Sequence, residues 1–169
     1  MNLREEILKE HSKSHALKIA SYACESKSNF KELMQCFLDE EYRLAQRAAW
    51  SVSWAAKKKP VMMTPHIKDL VPVLHKENVH DSVIRNSMRV LQEIEIPERF
   101  HGEVMDACFR FLEKPSTPVA IKAFSLTTLF NLSKKYPEIK PELKLMIEER
   151  LEHETAAFRA RAKKILPKL

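Results

Sequence analysis

A chain of 169 residues that is 44% hydrophobic and 31% charged can bury a core without disulfides or metals, and it is too apolar to be disordered. Its net charge of +6 favours acidic partners, and its single glycine, Gly102, excludes phosphate-cradling loops, dinucleotide fingerprints and glycine-flanked nucleophile turns, which need backbone positions closed to a side chain. No apolar run approaches the roughly 20 residues that cross a membrane, and the opening MNLREEILKEH carries acids instead of an apolar signal core, which predicts a cytoplasmic protein.

The first predicted element is a helical segment from about 3 to 26. Its His11 and His15, four apart, have the spacing of a zinc pair but lack a third ligand and the glutamate of a zinc protease, so they read as solvated surface side chains and no metal or cofactor is expected. Next, residues 28 to 61 form a pair of helices. Asn29 precedes Glu32 at capping-box spacing, and Phe30, Leu33, Met34, Phe37 and Leu38 fall on one face. The second helix of this pair carries Arg47, Trp50 and Trp54 and ends in Lys57, Lys58 and Lys59. In the pair from 64 to 95, Thr64 and Pro65 open the apolar series Ile67, Leu70, Val71 and Leu74, and Arg85 lies on the second helix. The pair from 98 to 136 starts its second helix at Thr117 and Pro118, carries Lys122 and closes on Lys134 and Lys135. Pro141 opens the last pair, 138 to 169, whose second helix holds Arg159, Arg161, Lys163, Lys164 and Lys168. No segment alternates as a strand would. Cys24, Cys36 and Cys108 are odd in number and sit in apolar helical patterns, as reduced core thiols do.

These pairs repeat with a period of about 37 residues, in the range of helical solenoids. Phe30 steps to Ile67 and Val104, Leu33 to Leu70 and Ala107, and Phe37 to Leu74, Phe111 and, one residue early, Ile147. An acid repeats on the first helices as Glu32, Asp69, Asp106 and Glu142. A base repeats on the second helices as Arg47, Arg85, Lys122 and Arg159, each followed by a mostly small residue, Ala48, Asn86, Ala123 and Ala160. The expected architecture is all-α: an α-α superhelix of about four helix pairs behind an N-terminal helical cap, in one domain with no internal linker.

The short first helix with its acid, and the second helix opening on a base and a small residue, resemble HEAT repeats of the ARM-type α-solenoids over nearly the whole chain. In the last repeat Lys144 replaces Met34, Val71 and Cys108, as an end cap facing water requires. The segment PVAIKAFSLTTLFNLSKKYPE and the terminus FRARAKKILPKL are also similar to small bacterial HEAT-like proteins labelled adenylosuccinate lyase. Lyases of that superfamily use much longer chains and a mobile serine-, glycine- and methionine-containing loop, which this sequence lacks, so the resemblance implies a repeat fold and no lyase activity.

Two readings of the base ladder follow. In the structural one each base bonds an acid of its own or the adjacent repeat and holds the stack in register. In the functional one Arg47, Arg85, Lys122 and Arg159, with Arg161, line the groove of the second helices and meet acidic side chains or phosphates. Trp50 and Trp54, one turn apart, read as inter-repeat packing or, if exposed, as a platform for an apolar side chain or a base. HEAT-like DNA glycosylases of alkylation repair pair an aromatic cleft with a carboxylate, for which Trp54 with Asp69 or Asp106 would be the candidates. Ser125, Thr127 and Thr128 have no matched histidine and acid, so no nucleophile triad is expected. The sequence thus predicts a non-catalytic module that binds an acidic or extended protein segment; the alternative is a nucleic-acid binder using the ladder and the basic terminus.

Overall fold

The computed structural model describes residues 1–169, and every regular element in it is helical. In chain order these are α1 (Leu3–Lys9), α2 (Lys13–Ala23), α3 (Lys27–Phe37), α4 (Tyr42–Lys58), the single turn α5 (Pro60–Met63), α6 (Ile67–Val73), α7 (Asp81–Leu91), α8 (His101–Glu113), α9 (Val119–Ser133), α10 (Lys140–Arg150) and α11 (Ala156–Ile165). Short 3₁₀ turns lead into α6, α8 and α10. Side-chain caps fix four of the starts: Asn2, Ser12, Ser26 and Thr155 each accept a backbone N–H from three residues ahead. The expected cap at Asn29 is displaced by one turn. Ser26 caps α3, and Asn29, inside that first turn, donates its amide to the Tyr22 carbonyl at 3.1 Å. Both side chains satisfy the capping pattern, and the backbone leaves its extended form at Ser26.

The repeated apolar positions are the core. Phe30, Leu33, Phe37, Ile67, Leu70, Leu74, Val104, Ala107, Phe111 and Ile147 are all buried, and Lys144 is exposed. The three thiols are free and buried; burial pushes Cys36 up to about 11 and Cys108 to about 12, which keeps both protonated and unreactive.

The chain divides into two compact units, Met1–Val90 and Leu91–Leu169. In the first, α4 is the central helix, packed by α1, α2 and α3. Its buried positions are Leu44, Ala45, Ala48, Ala49, Ser51, Val52, Ser53, Ala55 and Ala56, and apart from Leu44 and Val52 these are alanines and serines, whose small side chains let three helices approach it closely. The link from α6 to α7 passes through Asn78 at φ 59°, a left-handed conformation that asparagine tolerates. α7 then opens against His80, whose Nδ1 accepts the Ser82 backbone N–H at 3.0 Å and the Ser82 hydroxyl at 2.6 Å. The ring proton is therefore on Nε2.

In the second unit α9 lies between α8 and α11. It is buried on most sides, so its polar residues bond along the helix: Ser125, Thr128 and Ser133 donate to the carbonyls of Ile121, Phe124 and Phe130. His101 staples the lead-in to α8, with Nε2 donating to the Ile96 carbonyl at 2.6 Å and Nδ1 accepting from the Tyr136 hydroxyl at 2.9 Å.

Within each unit, side chains tie one helix pair to the next at separations of 35 to 39 residues. Lys58 bonds Ser21, Lys59 the Cys24 carbonyl and Arg47 the Leu8 carbonyl in the first unit. In the second, Asn131 bonds the Gln92 carbonyl and Arg150 the Glu113 carbonyl, while Lys135 closes its own pair by bonding Glu98. Arg4 adds a double link to Asp39 and Glu41.

Ala48→Leu, which overfills the close contact at α4, is expected to cost about 1–3 kcal/mol in urea denaturation. Acid should weaken the first unit through Glu6, whose carboxyl is held below its ordinary range by hydrogen bonds from Lys9 and Lys18. A depressed carboxylate stabilises fully above its unfolded value and loses that contribution as pH falls through the folded one. Glu6→Gln should therefore flatten the acid limb of a plot of melting temperature against pH.

Candidate binding site

α4 carries Gln46 and Trp50 one helical turn apart, and α7 carries Arg85 and Arg89 at the same spacing, so each helix offers two side chains on one face. These four residues, with His11, Ser82 and Asn86, line a concavity of about 440 Å³ in the first unit. No carboxylate lines it. Trp50 is half-buried, its ring 5.4 Å from that of His11. Asn86 donates to the Ser82 carbonyl at 2.7 Å and accepts from Arg89 Nη1 at 3.1 Å, which orients the Arg89 guanidinium. Arg85, also half-buried, has no hydrogen-bond or ion-pair partner in the chain.

The other ladder bases are all engaged. Arg47 donates to the carbonyl of Leu8, in the last turn of α1, where a helix leaves its carbonyls unsatisfied. Lys122 is buried and bonds Glu154 at 2.8 Å, itself nearly buried. Arg159 is exposed and bonds the Glu154 carbonyl at 2.7 Å. Arg161 is half-buried: Nη1 reaches Gln92 Oε1 at 2.7 Å, Thr127 Oγ1 at 2.9 Å and the Ala123 carbonyl at 3.3 Å, with the guanidinium 5.5 Å from the Phe124 ring centre.

Of the ladder bases only Lys122 bonds an acid of its own or the adjacent repeat as expected, and that acid, Glu154, is not one of the ladder acids. None of Glu32, Asp69, Asp106 and Glu142 meets a ladder base, and Asp69 bonds His66 at 3.3 Å. Helix-end carbonyls and Glu154 take that role, because a carbonyl at a helix terminus is already in place whereas Asp106 and Glu142 stay in water. Trp54 does not join Trp50 in the concavity. Lys13 and Lys57 flank its ring at 5.5 and 5.9 Å, and its Nε1 is buried without a partner. His15 Nε2 donates to the Glu6 carbonyl, 2.8 Å away. Gln46 and Arg89 were not singled out from the sequence, though each is one turn from a residue that was.

A second concavity of about 330 Å³ opens where the α3–α4 and α6–α7 links come together, over Phe37, Leu38, Val73 and Val83. Asp39, Glu40 and Lys76 line it, so unlike the Arg85 site it carries both signs of charge.

Lys122→Ala or Glu154→Ala alone leaves one charge buried and should destabilise the chain by about 3–5 kcal/mol, whereas Lys122→Met with Glu154→Leu should recover most of that loss in urea denaturation.

No curated protein and no solved structure matches the chain significantly. A family profile described as the HEAT repeat domain matches residues 3–169. The chain belongs to the HEAT repeat domain family.

Proposed function

We propose that this chain is a non-catalytic interaction module that binds an acidic, extended protein segment, and that the segment enters the concavity between α4 and α7. Membership of the HEAT repeat family supports the general reading, since such repeats typically mediate protein interactions and are generally non-catalytic. The observation that carries the specific one is Arg85, a half-buried cation without an internal partner in a concavity without carboxylates. Removing part of a guanidinium's water and returning no counter-charge costs free energy, and an arriving carboxylate recovers it through a bidentate bond. Trp50 adds a rigid apolar wall for a neighbouring side chain, and Gln46 a side-chain amide that can bond a peptide backbone. Arg47 and Lys122 contribute by holding the frame, and Arg159 and Arg161 lie in the second unit, outside this concavity.

Fluorescence anisotropy with a labelled acidic peptide tests the reading. Binding should persist near physiological salt, and Arg85→Ala should weaken it roughly tenfold, about 1.4 kcal/mol. Arg159→Ala should leave it unchanged. A labelled DNA oligonucleotide that bound more tightly than the peptide, with affinity falling steeply as salt rises, would move the assignment to nucleic acid.

A further inference from the structure

We infer that the Arg85 concavity takes a phosphomonoester, carried as a phosphoserine or phosphothreonine within the acidic segment. This inference rests on the preceding reading and narrows its ligand. The site holds two guanidiniums, not one, on the same face of α7 and one turn apart. A side-chain carboxylate carries one charge on two oxygens and is satisfied by a single arginine fork. A phosphomonoester carries close to two charges on three terminal oxygens, which matches two forks in number and in charge.

The neighbouring side chains favour the same ligand. Asn86 holds Arg89 through Oδ1 and is itself fixed to the Ser82 carbonyl, so one fork is oriented before any ligand arrives. The Ser82 hydroxyl is committed to His80. Arg85 is the uncommitted fork, and Gln46 stands across from it with a further amide donor. With no carboxylate in the lining, nothing repels a dianion, whereas the second concavity has Asp39 and Glu40 in its wall. A volume of about 440 Å³ is much larger than a phosphoryl group, and the remainder, walled by Trp50, accommodates the peptide on either side of it. Phosphodiesters offer one charge and two terminal oxygens each, and so fill one fork at a time.

The test compares three labelled acidic peptides that differ at one position, bearing phosphoserine, glutamate or serine. The phosphoserine peptide should bind at least about tenfold tighter than the glutamate one. Arg85→Lys, which keeps the charge and loses the fork, should abolish that preference while leaving the melting temperature unchanged. Equal binding of the phosphoserine and glutamate peptides overturns the phosphate assignment and leaves the acidic-segment reading standing. Failure of all three to bind overturns both. Inorganic phosphate that displaces the peptide as effectively as unlabelled phosphopeptide overturns the segment as the carrier. An Arg85→Lys variant that retains the full preference overturns the two-fork site.

Discussion

The packing of each unit depends on a fixed distance along the chain: a side chain on one helix pair meets the pair before it about 37 residues back. The ties at 35 to 39 residues express this distance in polar contacts, and they recur from Arg47 with Leu8 to Arg150 with Glu113. The end of a helix leaves carbonyls with no intrahelical donor, and long cationic side chains from the next pair supply one. A single geometry therefore satisfies buried polar groups and sets the register of neighbouring helices. Apolar burial against the same neighbours supplies most of the stability, since a solenoid repeat has no core of its own.

Two helices feel this constraint most strongly. α4 and α9 are surrounded on several sides, and each meets the demand differently. The buried face of α4 is mostly alanine and serine, so that its neighbours approach the helix closely. α9 uses larger residues and turns its hydroxyls back onto its own carbonyls, so Ser125 and Thr128 are buried with their hydroxyls satisfied. Lys122 is the exception on α9. Its ammonium cannot be satisfied within the helix, and it is held by Glu154 from the turn before α11.

The repeat, the helical class and the core were legible in the sequence because burial imposes periods on apolar residues, as at Phe30, Ile67 and Val104. Charge partners were less legible. Acids and bases share the period of the fold, so Glu32 and Arg47 look paired on paper, yet every feature of a repeat shares that period whether or not it touches another. Helix-end carbonyls carry no signature in the side-chain sequence, and they are what Arg47 and Arg150 bond. The start of α3 was misplaced for a similar reason, since Ser26 and Asn29 both fit the capping pattern and only the backbone distinguishes them. Trp50 and Trp54 share a helical face by spacing, but α4 sits against the α1–α2 region, where Lys13 lies over Trp54 while Trp50, beside His11, faces the concavity.

The same distance rule explains why Arg85 is left without a partner. Counting back from Arg47 by the length of its tie reaches Leu8, at the end of a short helix. Counting back from Arg85 over the range of the observed ties reaches residues 46 to 50, from Gln46 to Trp50, in the first half of α4 (Tyr42–Lys58). That helix continues for more than a turn beyond Trp50, so its carbonyls there are already used by the intrahelical ladder and none is free for a guanidinium. The repeat thus delivers Arg85 to a place where its counterparts would find an acceptor and it finds Gln46 and Trp50 instead. A base kept at a ladder position where the fold cannot satisfy it is a destabilising choice for the isolated chain. In the function we propose, an external anion removes that cost, and the binding energy is concentrated at this one position of the ladder because the other bases are already satisfied.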